Sequence, residues 1–126
     1  MADTLTRVKE ITDQIQSTIT ATINHSDPEQ VLFKIAEYSN LLGSSTEAVA
    51  LSEMAYNEEL AKLAEQFANS KITATDKKMI FAGRLKNQIY YMTLSDRQNK
   101  ALTHSIDGLR SVISYLKSEI ANLPVN

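Results

Sequence analysis

Between Phe81 and Leu123 apolar side chains recur every seven residues, and this stripe restricts what the chain can fold into more than any other feature. Leu85, Met92, Asn99, Ile106, Ile113 and Ile120 occupy one position, a, and Gln88, Ser95, Leu102, Leu109, Leu116 and Leu123 lie three residues later, at d. A period of 3.5 residues, against the 3.6 of a straight α-helix, holds one seam toward a partner only when helices wrap on each other. Isoleucine at a with leucine at d is the pattern of parallel dimers in simple coiled coils, and an asparagine at a, here Asn99, is the type of residue that fixes register. Val112 and Tyr91 at g and Ile89 at e widen the stripe beyond a two-stranded seam, which suits a multi-helix bundle. Two arrangements satisfy this pattern: the chain folds its own helices antiparallel around the stripe, or copies assemble through Leu102, Ile106, Leu109, Ile113, Leu116 and Ile120. A homo-oligomer is the expectation taken forward.

Composition agrees with helices. Among 126 residues there are three glycines and two prolines, little material for turns between strands. The expected fold class is all-α, a helical bundle or helical hairpin with a long C-terminal helix carrying the stripe, in a single domain over 1–126. The chain has no cysteine, so neither a disulfide framework nor a thiolate site exists. The amino terminus lacks an apolar leader and no window is long enough to span a bilayer, so no membrane partner is expected and the location read from sequence is cytoplasmic.

Punctuation divides the chain into helices at about 5–24, 28–42, 45–70 and 74–123. Asp27, Pro28 and Gln30 read as cap, first helical residue and capping-box partner. Gly43 suits a left-handed C-terminal cap, and Ser44 with Glu47 reads as a new capping box. Thr73 and Asp76 are placed as cap and first-turn acid of the fourth segment. Thr93-Leu94-Ser95-Asp96 offers a restart within that segment, but the heptad phase runs through it and favours one continuous helix.

Charge is unevenly distributed. Residues 1–70 carry a balance of −7 and residues 71–126 one of +5. Lys71, Lys77, Lys78, Arg84, Lys86, Arg97 and Lys100 face only Asp76 and Asp96 over thirty residues, with Tyr90 and Tyr91 interleaved. Such a segment has the makings of a polyanion footprint, because basic side chains release counterions from phosphates and exposed rings stack on unpaired bases. The competing reading is internal: a basic helix can face the acids Glu47, Glu53, Glu58, Glu59 and Glu65 within its own bundle. Tyr90 and Tyr91 are consecutive and cannot share one seam, so one of them is expected at the surface.

Parts for catalysis are missing. His25 and His104 are the only histidines and neither has a partner at ligand spacing, so no metal and no cofactor is expected. Glu58 and Glu59 point about 100° apart on a helix, poor geometry for a carboxylate pair. No nucleophile elbow, Walker lysine or dinucleotide fingerprint occurs. The expectation is a protein without enzymatic activity.

The run from Lys77 through Met79-Ile80-Phe81-Ala82-Gly83-Arg84-Leu85-Lys86 to Tyr90-Tyr91, followed by Ile106-Asp107-Gly108-Leu109-Arg110 to Lys117, resembles the small helical accessory proteins of bacteriophages, and among them the UvsY-like recombination mediators. The likeness covers roughly residues 45–120 and is one of patterning. It implies a ring-forming factor in the host cytoplasm that binds single-stranded DNA and helps load a recombinase, with Lys77, Lys78, Arg84, Lys86, Arg97 and Lys100 carrying the strand and Tyr90 and Tyr91 beside them. The acidic first half departs from a simple DNA-coating protein. A second class of function therefore stays open: an adaptor or inhibitor that binds a recombination, replication or host protein and no nucleic acid.

Overall fold

The computed structural model describes residues 4–122, and every regular element among them is an α-helix: α1 (Thr4–Thr20), α2 (Pro28–Gln66), α3 (Ala74–Arg84) and α4 (Lys86–Ala121). Asp27 caps α2 by accepting the Glu29 N–H at 3.0 Å, with Pro28 as first helical residue. Gln30 reaches back past the cap, and its Oε1 accepts the Asn24 N–H at 2.8 Å. Asn24 is thereby a turn residue, which shortens α1 from the predicted end at Asn24 to Thr20. Polar contacts order the helices. Ser52 and Ser95 share a hydroxyl–hydroxyl bond of 3.1 Å and Asn99 Nδ2 donates to Ser45 Oγ at 3.1 Å, so α2 and α4 run antiparallel. Arg7 meets Glu47, and Lys34 Nζ donates to the Thr18 carbonyl at 3.0 Å, which sets α1 antiparallel to α2.

The predicted break between 42 and 45 does not occur; α2 is one helix of 39 residues. Gly43 has no positive φ and Ser44 is a half-buried residue of the helix interior, not a cap. The reason lies in the face that α2 buries. Val31, Tyr38, Ser45 and Ser52 repeat every seven residues, as do Lys34, Leu41, Ala48 and Ala55, so the buried seam crosses Gly43 without a change of phase. Packing of that seam on α4 offsets the roughly 1 kcal/mol that an interior glycine costs. A Cβ at Gly43 would meet nothing within 4 Å. Gly43→Ala is therefore expected to stabilise the protein by about 0.5–1 kcal/mol in urea unfolding; a destabilised variant would show that the glycine is needed.

The hairpin turns at residues 67–73. Phe67 closes α2 by donating its N–H to the Leu63 carbonyl at 3.0 Å, so the helix ends at Gln66, short of the predicted end near Ser70. Thr73 Oγ1 accepts the Asp76 N–H at 3.2 Å and caps α3, as its spacing predicts. The fourth segment is not one straight helix. It changes direction at Leu85 (φ −94°, ψ 4°), away from the candidate restart at 93–96, which lies inside α4. Hydrogen bonds from Leu85 N–H to the Phe81 carbonyl and from Ile89 N–H to the Leu85 carbonyl, both 2.9 Å, carry the ladder across the bend, and the Leu85 side chain is buried. Leu123, the last residue of the predicted stripe, lies outside the described residues.

The core answers the question that the stripe left open. Leu102, Ile106, Leu109 and Ile113 are at most 8% exposed and pack with Val8, Ile11 and Ile15 of α1 and with Val31, Tyr38, Leu41 and Ala48 of α2. These four residues, expected to join copies of the chain, are consumed by its own helices; Leu116 is half-buried and Ile120 exposed. Tyr91 and Val112, two of the three residues that widened the stripe, pack against this same core, so their breadth belongs to a third helix, while Ile89 is exposed. At about 1.5 Å per residue α1 is roughly 25 Å long and α2 roughly 58 Å. The molecule is therefore a three-helix bundle along one half of the hairpin and two helices along the other.

Candidate nucleic-acid interface

Lys86, Tyr90, Arg97 and Lys100 are all exposed on α4. Their numbers step by four, seven and three, which on a helix of 3.6 residues per turn keeps them on one face. Thr93 and His104 fall on the same face and are exposed too. From Lys86 to Lys100 this row spans about 21 Å of helix. It lies away from the buried a and d positions, so α4 presents its core with one side and a basic, aromatic row with the other.

The other predicted residues do not join this row. Tyr91 packs against the core that α1 shares, while Arg84 is exposed at the end of α3, one residue before the bend, with Lys77 half-buried seven residues before it. Lys78 is exposed on α3, near the turn of the hairpin. The eight candidate residues are thus divided between the outer row of α4 and a second group at the α3 end. Of the two tyrosines, Tyr90 is 57% exposed and Tyr91 is held inside. Their rings meet edge to face, centroids 5.0 Å apart at 87°, and Lys9 Nζ stands 5.7 Å from the Tyr91 centroid. Tyr91 thereby braces Tyr90 from behind, and a base stacking on Tyr90 would meet a ring already positioned.

Electrostatics separate the two sequence readings of the basic segment. Among the described residues no ion pair joins Glu53, Glu58, Glu59 or Glu65 of α2 to a cation of α3 or α4. The acid–base contact between helices is Arg7 with Glu47, at 3.3 Å, between α1 and α2. Within the row, Lys100 pairs with Asp96 one turn before it at 3.0 Å, an exposed contact of little energetic weight. Lys86 and Arg97 have no ion-pair partner among the described residues. Elsewhere Tyr115 donates to Glu119 Oε1 at 2.7 Å, a bond that raises its hydroxyl above the ordinary tyrosine pKa.

Sequence reasoning missed the seam of α2. Its Ser45, Ala48, Ser52 and Ala55 are small rather than large and apolar, and the period is visible only when they are counted as buried positions across Gly43. On the side of the hairpin opposite α1, α2 and α4 leave a groove of about 400 Å3 lined by Val49, Ser52, Glu53, Met92, Thr93, Asp96 and Arg97. Among the described residues no cluster of three or more His, Asp or Glu side chains is arranged to hold a metal ion, and no helix is long and apolar enough to cross a membrane. Comparison with known proteins finds no matching family model, no matching curated protein and no matching solved structure.

Proposed function

We propose that the protein is a non-enzymatic, self-associating helical accessory factor that binds single-stranded nucleic acid along the outer face of α4, in the manner of a phage recombination or replication mediator. One observation carries this reading: Lys86, Tyr90, Arg97 and Lys100 stand exposed on one helix face, and Lys86 and Arg97 have no ion-pair partner among the described residues. Phosphates laid along such a row release counterions, and Tyr90 supplies a stacking surface that accepts any base. In fluorescence anisotropy with a labelled oligothymidylate, Lys86→Glu with Arg97→Glu is expected to weaken binding more than tenfold. The slope of log affinity against log salt should fall by about 1.4, the contribution of two phosphate contacts on a single strand. Equal affinity for both proteins, or no binding by the parent at low salt, overturns the reading.

A protein partner without nucleic acid has its own observation in favour. Phe33 is 67% and Leu32 52% exposed on α2, and Tyr115 is 62% exposed on α4. Apolar side chains this open are common anchors of protein interfaces. A parent protein that ignores oligonucleotides at low salt would leave the adaptor reading as the better one.

A further inference from the structure

Where α1 ends, the bundle holds a cavity of about 470 Å3, bounded by the last turn of α1, the residues that follow it, α2 and α4, a size common for small-molecule sites. Its walls are apolar, with Ile19 and Ile23 on one side and Leu109 and Val112 on the other. Two polar side chains are buried in it. Lys34 is 5% and Tyr38 7% exposed, and both line the cavity. The Lys34 ammonium has three donors and uses two of them, on the Thr18 carbonyl and on Glu37. The Tyr38 hydroxyl has no hydrogen-bond partner among the described residues. Gly108 forms the rim on α4, and a Cβ there would meet nothing within 4 Å, so the entrance beside it is clear.

We propose that this cavity binds a small apolar monocarboxylate, such as a medium-chain fatty acid. The charges select an anion. No aspartate or glutamate lines the cavity, whereas Lys34 does, and the exposed His25 beside it adds a second positive charge at low pH. Glu37, the ion-pair partner of Lys34, has a side chain 34% exposed, so water screens its charge. Lys34 Nζ stands over the Tyr38 ring, 5.2 Å from its centroid, which brings the third ammonium donor and the phenolic O–H near enough for the two oxygens of one carboxylate. Such charge-assisted bonds are strong where little water competes for the donors. The tail of the ligand then lies against Ile19, Ile23, Leu109 and Val112 and takes their apolar surface out of water. None of these residues belongs to the row from Lys86 to Lys100, so the inference stands apart from strand binding.

Amide NMR spectra recorded during titration with decanoate test it. Of the three glycine amides, that of Gly108 is expected to shift, while those of Gly43 and Gly83, outside the cavity, stay. In calorimetry decanoate should bind more tightly than decanol, which has the same tail without the charge. Gly108→Leu puts a side chain into the entrance and is expected to lose binding with its helical circular dichroism unchanged. Lys34→Met should abolish the preference for decanoate. If that variant unfolds, Tyr38→Phe, which keeps the ring over which Lys34 stands, is expected to weaken decanoate about threefold to tenfold and to leave decanol unchanged. A Gly108 amide that ignores millimolar decanoate overturns the inference, as do equal shifts at all three glycines, the behaviour of a detergent. Equal affinity for decanoate and decanol, or undiminished binding by Gly108→Leu, overturns it too.

Discussion

Leu102→Ala is expected to remove about 2–5 kcal/mol of stability, a large share of the 5–15 kcal/mol that a domain of this kind possesses. Leu102 is fully buried between α1 and α2, so truncation removes its apolar contacts and leaves a cavity that helices held on two sides close only in part. Its heptad companion Ile120, 61% exposed, is expected to tolerate alanine within about 0.5 kcal/mol. Urea unfolding of both variants, at low and high protein concentration, separates an internal core from an interface between copies. An internal residue costs the same at both concentrations, whereas an interface residue costs more where the oligomer forms. A Leu102→Ala penalty below about 1 kcal/mol, or one that grows with concentration, would falsify its placement in the chain's own core.

Lys34→Ala is expected to cost about 2–4 kcal/mol and to loosen α1 before the hairpin. Lys34 is only 5% exposed, an unusual position for a lysine. Its Nζ donates to the Thr18 carbonyl at 3.0 Å and to Glu37 Oε1 at 2.9 Å, and stands 5.2 Å from the Tyr38 ring centroid. One side chain therefore gives a second donor to the Thr18 carbonyl at the end of α1, which also accepts the Ala21 N–H at 3.3 Å, pairs a carboxylate and covers an aromatic ring. Alanine strips all three, leaving the Thr18 carbonyl only its longer bond from the Ala21 N–H and Glu37 without its cation. Lys34→Met keeps the hydrophobic stem and should recover about half of the loss. Hydrogen exchange is the decisive measurement: amides of residues 8–18 are expected to exchange faster in Lys34→Ala while those of α2 and α4 near Ser52 and Ser95 keep their protection. Equal loss of protection throughout would show that α1 is not separately held by this contact.

How much of this was legible in the sequence depended on whether a signal was local. Asp27 and Thr73 announced helix starts because a cap needs only a side-chain oxygen and an amide two or three residues away. Gly43 misled for the same reason. Its local preference for a helix end is worth about 1 kcal/mol, and the contacts of a seam spread over 39 residues outweigh it. The bend at Leu85 carried no local signal, since Leu85 continues the heptad on both sides. Among the candidate site residues, exposure of one of the two adjacent tyrosines followed from helix geometry. That Tyr90 is the exposed one did not, because the choice depends on where α1 lies.

The sequence by itself determined that the chain is helical and that the seven-residue stripe beginning at Leu85 needs cover over most of its length, as it has to Ile113, since period and composition act through the backbone and the solvent alone. Only the tertiary structure decided what covers that stripe. The partner of Leu102 to Ile113 is set by α1 and by the small side chains of α2, whose Ser45, Ala48 and Ser52 let two backbones approach closely. Small residues give no hydrophobic signal of their own, and their effect exists only once a second helix is beside them. The same folding decided which cations lie together: Lys86, Arg97 and Lys100 share a row with Tyr90 because α4 is continuous through them, while the bend at Leu85 leaves Lys77 and Lys78 to α3.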